Sequence, residues 1–350
     1  MIHSHISEAI KSPDLIHLQD NLYLSRFESM KVYSTLAAIK RLLERGAVSE
    51  GHTLLDSSSG IYAYALALAC HKFGLKCHII ASKTVDPTLK VQLEILGATV
   101  EPAASASNLK MDQENRVRRI GELLKQRDDM HWMQQYHDDI HYLGYKEFAQ
   151  LIAENFPQEK LTLVGGVGSG CSTGATASYL RQMGKDVSLH GVQPFGSVTF
   201  NSDHVEDPDI IIAGIGSSIP FNNVRSELYD YIHWVSFDYS RHGAIELLRK
   251  HGVFAGLSTG SCYTVSRSCA AMMSSDDPCI FLGADMGYRY VDPVFSKHSQ
   301  ARPVADLYPK MVDSFEDLAL DWCTMAWKRR KSGVPVGNSK TADSPLTERA

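Results

Sequence analysis

The sequence predicts an α/β fold of two lobes, each built on a mostly parallel, twisted sheet flanked by helices. Three observations carry that expectation. Strand-like and helix-like stretches alternate along most of the chain, the pattern left by βαβ units. The alternation comes as two series, one starting at Val32 and the other at Leu161. A length of 350 residues with 44% hydrophobic content suffices for two ordinary cores.

In the first series, Val32–Glu44 spaces its apolar residues as a helix does, and Arg45-Gly46 ends it. Thr53–Asp56 reads as a strand, Ile61–His71 as an Ala- and Leu-rich helix, and Lys76–Ala81 as the next strand. Asp86-Pro87 opens a helix through LKVQLEIL, Ala98–Glu101 is a strand, and Asp112–Arg127 is a charged amphipathic helix. The second series runs strand Leu161–Gly165, helix Thr173–Met183 and strand Ser188–Gln193. A strand near Ile232–Phe237, a helix Gly243–His251, a helix after Gly260 and a strand Cys279–Leu282 complete it. The expected division is a large lobe of residues 1–30 and 142–327 and a smaller, mobile lobe of 31–141, with a cleft between them. Residues 328–350 turn polar and are expected to be a disordered tail.

Composition narrows the function. A formal net charge of -5 argues against nucleic acid as a partner. The short cluster Lys328 to Lys331 reads as a solvated end. No stretch has signal-peptide or transmembrane length, so no membrane partner is expected. Seven cysteines, an odd number with no CxxC pair, read as buried thiols of a reducing cytoplasm. His137 and His141 would share a face on a helix, but no third ligand can be placed near them, and no metal site is expected.

Four segments carry chemistry. Lys31 stands at a helix start, where the positive end of the helix dipole favours the neutral amine that attacks an aldehyde. Ser57-Ser58-Ser59-Gly60 lies at a strand-to-helix turn, whose free N–H groups and hydroxyls can bind a carboxylate. Gly165 to Cys171 (GGVGSGC) follows a strand and precedes a helix, so its N–H groups can nest a phosphate. A dinucleotide loop would need an acidic residue at the end of the following strand, which here ends in Gln193-Pro194. A Walker loop would need a Gly-Lys-Ser/Thr that is missing. Ser258 sits in GLSTGS before another helix, where its hydroxyl can meet an unprotonated pyridine nitrogen. Such a partner limits the ring as an electron sink and suits elimination and replacement at the β-carbon. Taken singly, these features read as a surface lysine, an N-cap, a tight turn and an ST-turn. Taken together they point to pyridoxal 5'-phosphate.

The same segments resemble the cysteine synthase family of fold type II pyridoxal-phosphate enzymes, from about Leu18 to Ser296. The resemblance implies a tryptophan-synthase-β-like architecture. Lys31 falls on the cofactor lysine of the family's PxxSxKDR-like segment, and Gly60 follows it by the expected 29 positions. Ser58, Ser59, Gly60, Tyr62 and Gln135 (in QQY) fall on or beside the substrate-carboxylate segments. Val167, Gly168, Ser169, Gly170 and Cys171 match the phosphate loop, Ser258 the pyridine-nitrogen serine, and AGIGSSIP from Ala213 a further family loop. GADMGYRYVDPVFS resembles the late PDxGxRY segment.

There are departures. Ile61 replaces the asparagine that serves the cofactor's phenolic oxygen, leaving Tyr62 or Tyr64 as candidates. Val32-Tyr33 replaces Asp-Arg, and Cys171 replaces a threonine. Within the family, GVFAGLSTGS and YRYVDPVFS are similar to siderophore-pathway synthases that join O-phosphoserine to glutamate. The resemblance implies β-replacement on O-phosphoserine or O-acetylserine through an aminoacrylate, with sulfide or an amino acid as nucleophile. It also implies small-molecule amino-acid substrates and a cytoplasmic homodimer. A β-eliminating lyase or deaminase of the same fold, and a non-catalytic ligand-binding relative, are the alternatives.

Overall fold

Two sheets organise the chain, and they follow the two series. The computed structural model describes residues 2–83, 85–106, 108–211 and 214–329. The short helix α1 (Ile6–Ala9) precedes an antiparallel pair, β1 (Asp14–Gln19) and β2 (Leu22–Arg26). Helix α2 (Lys31–Glu44) then leads into β3 (Thr53–Ser57), α3 (Ile61–Phe73), β4 (Lys76–Ala81), α4 (Pro87–Ile95), β5 (Thr99–Pro102), α5 (Leu109–Gln126) and β6 (Met130–Trp132). These four strands form an all-parallel sheet in the order β5-β4-β3-β6.

Helix α6 (Tyr145–Asn155) opens the second half. It continues with β7 (Lys160–Gly166), α7 (Cys171–Gln182), β8 (Asp186–Gln193), β9 (Tyr231–Val235), α8 (Phe237–His251), α9 (Leu257–Met272), β10 (Cys279–Gly283), β11 (Lys310–Met311) and β12 (Trp322–Ala326). With β1 and β2 they make an eight-stranded sheet in the order β1-β2-β10-β7-β8-β9-β12-β11. Its centre is parallel, and antiparallel pairing enters where β1 meets β2 and β12 meets β9.

Local chemistry explains the boundaries. Asp86 caps α4 through Leu89 N at 2.9 Å, with Pro87 at the first helical position. Asn108 caps α5 through Met111 N at 2.9 Å, so this helix starts three residues before the expected Asp112. Ser236 caps α8 through Tyr239 N, which ends β9 at Val235 and starts the helix at Phe237. Gly74 and Gly252 close α3 and α8 in the left-handed conformation that glycine adopts without steric cost. Every residue of β3 and of β10 is buried, as expected of parallel strands covered on both faces.

Under the large sheet, Tyr145, Phe148 and Ile152 of α6 pack with Leu161, Leu163 and Trp234. Under the small one, Leu54 and Ile79 meet Leu66, Leu89 and Leu93. Lys328 and Arg329, expected in the tail, donate their backbone N–H groups to Asp230 O and Tyr229 O at 2.9 and 2.8 Å. The rest of the expected tail lies outside the described residues.

Three buried ligand-type side chains, His190, His233 and Cys269, gather inside the large sheet. They belong to a closed polar chain. Ser188 Oγ lies 3.1 Å from His190 Nε2, His190 Nδ1 2.9 Å from His233 Nε2, and His233 Nδ1 2.7 Å from Thr324 Oγ1. Burial pushes His190 down to about 4 and lowers His233 as well, so both rings are neutral at pH 7.

Candidate active site

A cavity of 590 Å³ lies between the two sheets' contributions, and it gathers the expected segments. Strand β7 delivers the Gly-rich turn. Gly166, Gly168 and Ser169 line the cavity, and α7 starts at once with Gly170 as N-cap and no side-chain cap. Its first N–H groups are therefore available to an anion. Two glycines here are obligatory. A Cβ on Gly168 would sit 2.4 Å from Gly214 O, and Gly170 has φ +79° with Asn223 O 2.8 Å from its Cβ position.

Lys31 is the first residue of α2, and its Nζ donates to Ser169 Oγ at 3.1 Å. Burial lowers its pKa, which favours the neutral nucleophilic amine. Ser258 is the second residue of α9 and also faces the cavity. An imine-forming amine, an uncapped helix start lined with glycine, and a neutral hydroxyl at a third helix start fit pyridoxal phosphate. Bound there, that group would supply the electron sink for chemistry at the substrate α- and β-carbons.

A family model for pyridoxal-phosphate dependent enzymes matches residues 5–282. This chain belongs to that family. It is therefore a pyridoxal-phosphate enzyme, and its fold is fold type II. It is 29% identical over 276 residues to the N-(2-amino-2-carboxyethyl)-L-glutamate synthase of Cupriavidus metallidurans, covering 76% of this chain and 79% of the relative. The Ralstonia nicotianae protein of the same name is 28% identical over 272 residues, covering 76% and 78%. Among solved structures, the O-acetylserine dependent cystathionine beta-synthase of Helicobacter pylori superposes with a TM-score of 0.74 at 20% identity, covering 83% of this chain and 98% of that one.

A second wall of this pyridoxal-phosphate enzyme's cavity is formed by the serine turn. Ser58, Ser59, Gly60, Ile61, Tyr62 and Gln135 all line it. The serine hydroxyls also hold the turn. Ser58 Oγ accepts from Gly60 N and Ala63 N at 3.3 and 3.2 Å, and Ser59 Oγ accepts from Ser82 N at 2.7 Å. Capping and ligand binding are thus not exclusive, because each hydroxyl keeps its own O–H to donate. Gln135 Nε2 donates to Ser57 O at 2.8 Å and retains a second N–H. Of the two tyrosines considered beside Ile61, Tyr62 lines the cavity and Tyr64 does not.

Of the five phosphate-loop residues, Gly168 and Ser169 line the cavity, while Val167, Gly170 and Cys171 lie behind them. Val167 is buried, and its carbonyl accepts from Gly216 N and from Gln193 Nε2. The Cys171 thiol turns inward toward Ser169 O and Gln135 O, at 3.9 and 4.0 Å. Ser172, one residue on, takes the cavity side instead. The helical turn that begins at Gly170 rotates position 171 into the core and 172 toward the cavity, a phase that spacing alone does not resolve. His137 and His141 do not share a helix face. His141 sits in the 3-10 turn Asp139–Tyr142, its Nε2 2.8 Å from Met133 O and its Nδ1 2.9 Å from Ser34 Oγ. Of AGIGSSIP, Ala213 lies outside the described residues, while Gly214 to Ser218 line the cavity.

Several cavity residues escaped the sequence reading. Arg116, on the charged helix α5, is buried, donates to Ser57 Oγ at 3.0 Å and pairs with Asp112 at 2.9 Å. Arg289 pairs with Asp285 at 2.6 Å, and its Nη1 would lie 3.6 Å from a Cβ on Gly60. Tyr136 stacks on Phe221 with ring centroids 3.9 Å apart. Arg116 carries no motif, only helical phase. A charged residue at an apolar position of α5 was the one available signal.

Proposed function

We propose that this pyridoxal-phosphate enzyme catalyses β-replacement on an activated serine, with O-phosphoserine as donor and an amino acid such as glutamate as nucleophile. The observation that carries the reading is the Lys31 amine, 3.1 Å from Ser169 Oγ, in one cavity with the serine turn and Arg116. Lys31 would hold the cofactor and then take the donor's α-proton. Ser58, Ser59, Gly60, Tyr62 and Gln135 would seat the donor, and Gly168, Ser169 and Ser258 the cofactor. Arg116 supports a phosphorylated donor, since its guanidinium lies in the cavity wall and suits an anionic leaving group. The curated relatives bear the name of a synthase that links an amino-acid fragment to glutamate, which supports an amino acid as second substrate.

The reading extends to lobes of residues 1–30 with 142–327 and of 31–141, the smaller one moving. It also extends to a cytoplasmic homodimer serving siderophore synthesis. Seven free, buried cysteines suit a reducing compartment, and no helix of the described residues is long and apolar enough to cross a membrane.

The test is to record the visible spectrum of the purified enzyme, then supply O-phosphoserine or O-acetylserine with glutamate and weigh the product. The expected result is a cofactor band, release of inorganic phosphate from O-phosphoserine, and a glutamate adduct. Lys31→Ala should lose the lysine-linked band and at least about a thousandfold in turnover. Keto acid and ammonia without an adduct would move the assignment to an eliminating lyase.

A further inference from the structure

The serine turn and Gln135 follow different strands, yet one carboxylate ties them together. Asp56 of β3 is 1% exposed. Its Oδ1 accepts from Ser57 N at 2.7 Å and from Trp132 Nε1 at 3.1 Å, and its Oδ2 from Gln135 N at 3.0 Å. The donors thus come from β3, β6 and the turn after β6. Gln135 closes the ring by donating from its side chain to Ser57 O, and Gln134 beside it is held at φ 50°. An ionised carboxylate can accept all of these bonds. A neutral carboxyl must donate a proton, and the three N–H partners have no acceptor to offer it.

We propose that ionised Asp56 is the positioning residue that holds the Ser58–Gly60 turn and Gln135 as one receptor for the donor's α-carboxylate. This rests on the amino-acid donor proposed above. Burial pushes the Asp56 carboxyl up to about 6, so the receptor is expected to loosen as pH falls through that value.

The surrounding groups do not mask the effect. Tyr62 on α3 and Tyr136 after β6 are pushed up by burial, Cys77 on β4 by its hydrogen bond to Cys70 and then by burial, and all three stay neutral. His141, 3.5 Å from the Tyr62 hydroxyl, is pushed down to about 4 and is neutral above pH 5. Arg116 on α5 reaches Ser57 Oγ while paired with Asp112.

O-Phosphoserine is the wrong probe, because its own phosphate titrates near pH 6. L-Serine's carboxylate does not titrate between pH 5 and 8, and the proton its ammonium must lose to join the cofactor weighs equally on wild type and variants. The experiment titrates the holoenzyme with L-serine, follows the cofactor's absorbance and repeats this across that range. From pH 7 to pH 5 the Kd of the wild type should rise about tenfold more than that of Asp56→Asn. Asp56→Asn should bind L-serine weakly throughout, and Asp56→Glu should recover part of the affinity. With O-acetylserine, KM should carry the acid loss while kcat stays within about twofold.

Parallel Kd profiles for wild type and Asp56→Asn would overturn the inference. If Asp56→Asn fails to fold, the comparison is made with Asp56→Glu, whose displaced carboxylate should move the midpoint of the acid rise, and an unmoved midpoint would overturn it. No response to L-serine at any pH would overturn the amino-acid donor itself, and this inference with it.

Discussion

The two turns that face the cavity solve the same problem in opposite ways. The Gly-rich turn between β7 and α7 offers backbone N–H groups, has no side-chain cap and packs so closely on Gly214 and Asn223 that a methyl group does not fit. The serine turn between β3 and α3 offers hydroxyls, and the same hydroxyls cap α3 and clip the turn to Ser82 N. One turn is fixed by steric exclusion. The other is fixed by hydrogen bonds that converge on a titratable group, Asp56. Backbone anchoring suits a resident group that should not leave. Side-chain anchoring suits a substrate that comes and goes.

That contrast can be broken at three points. The largest effect is expected at Gly168→Ala, where the new Cβ must displace the Gly214 backbone. Cofactor affinity should fall by about 1–3 kcal/mol, measured by reconstituting the apoenzyme with pyridoxal phosphate. Unchanged affinity would mean that the turn is not the cramped element described. Ser58→Ala should act on the other turn. It removes the acceptor for Gly60 N and Ala63 N, costing about 1 kcal/mol in thermal stability, and should raise KM for the donor more than it lowers kcat. A fall in cofactor affinity instead would erase the distinction between the turns. The smallest effect is expected at Cys171→Ala. Its thiol faces Gln135 O and Ser169 O rather than the cavity, so cofactor affinity should stay within about twofold. A large loss would restore the side-chain role that position 171 was expected to have.

These turns were also where the sequence was most legible. A strand followed by Ser-Ser-Ser-Gly or Gly-Gly-Val-Gly-Ser-Gly and then a helix announces its own geometry, and the parallel strands β3, β4, β5, β7, β8, β9 and β10 were visible for the same reason, whereas the three-residue β6 was not. Elements at the margins were not. Strand β1, DLIHLQ, has no buried residue and shows no alternation to read. Strand β12 is legible only through its antiparallel pairing with β9, a long-range fact. Helix α6 went unread although it buries four residues, because the polar HDDIHYLGY before it offered no clean start. Within the site, the residues found by motif were those that a short local segment defines. Arg116 and Asp56 act by reaching across elements, and only the packing of α5 and β6 against β3 makes them neighbours. Cys171 shows the reverse case, a motif position whose side-chain direction only the helix phase sets.

The seclusion of the thiols has a practical side. All seven cysteines are free and buried; burial raises the pKa of those at 171, 262, 269, 279 and 323, and a hydrogen bond to Cys70 together with burial raises that of Cys77. Alkylating reagents attack thiolates, so the native chain is chemically silent toward them. Ile95 on α4 and Met311 on β11 are exposed, one on each sheet's side of the molecule. A cysteine placed at either would be the single reactive handle on the folded enzyme, and a pair would turn any motion between the sheets into a distance that dyes can report.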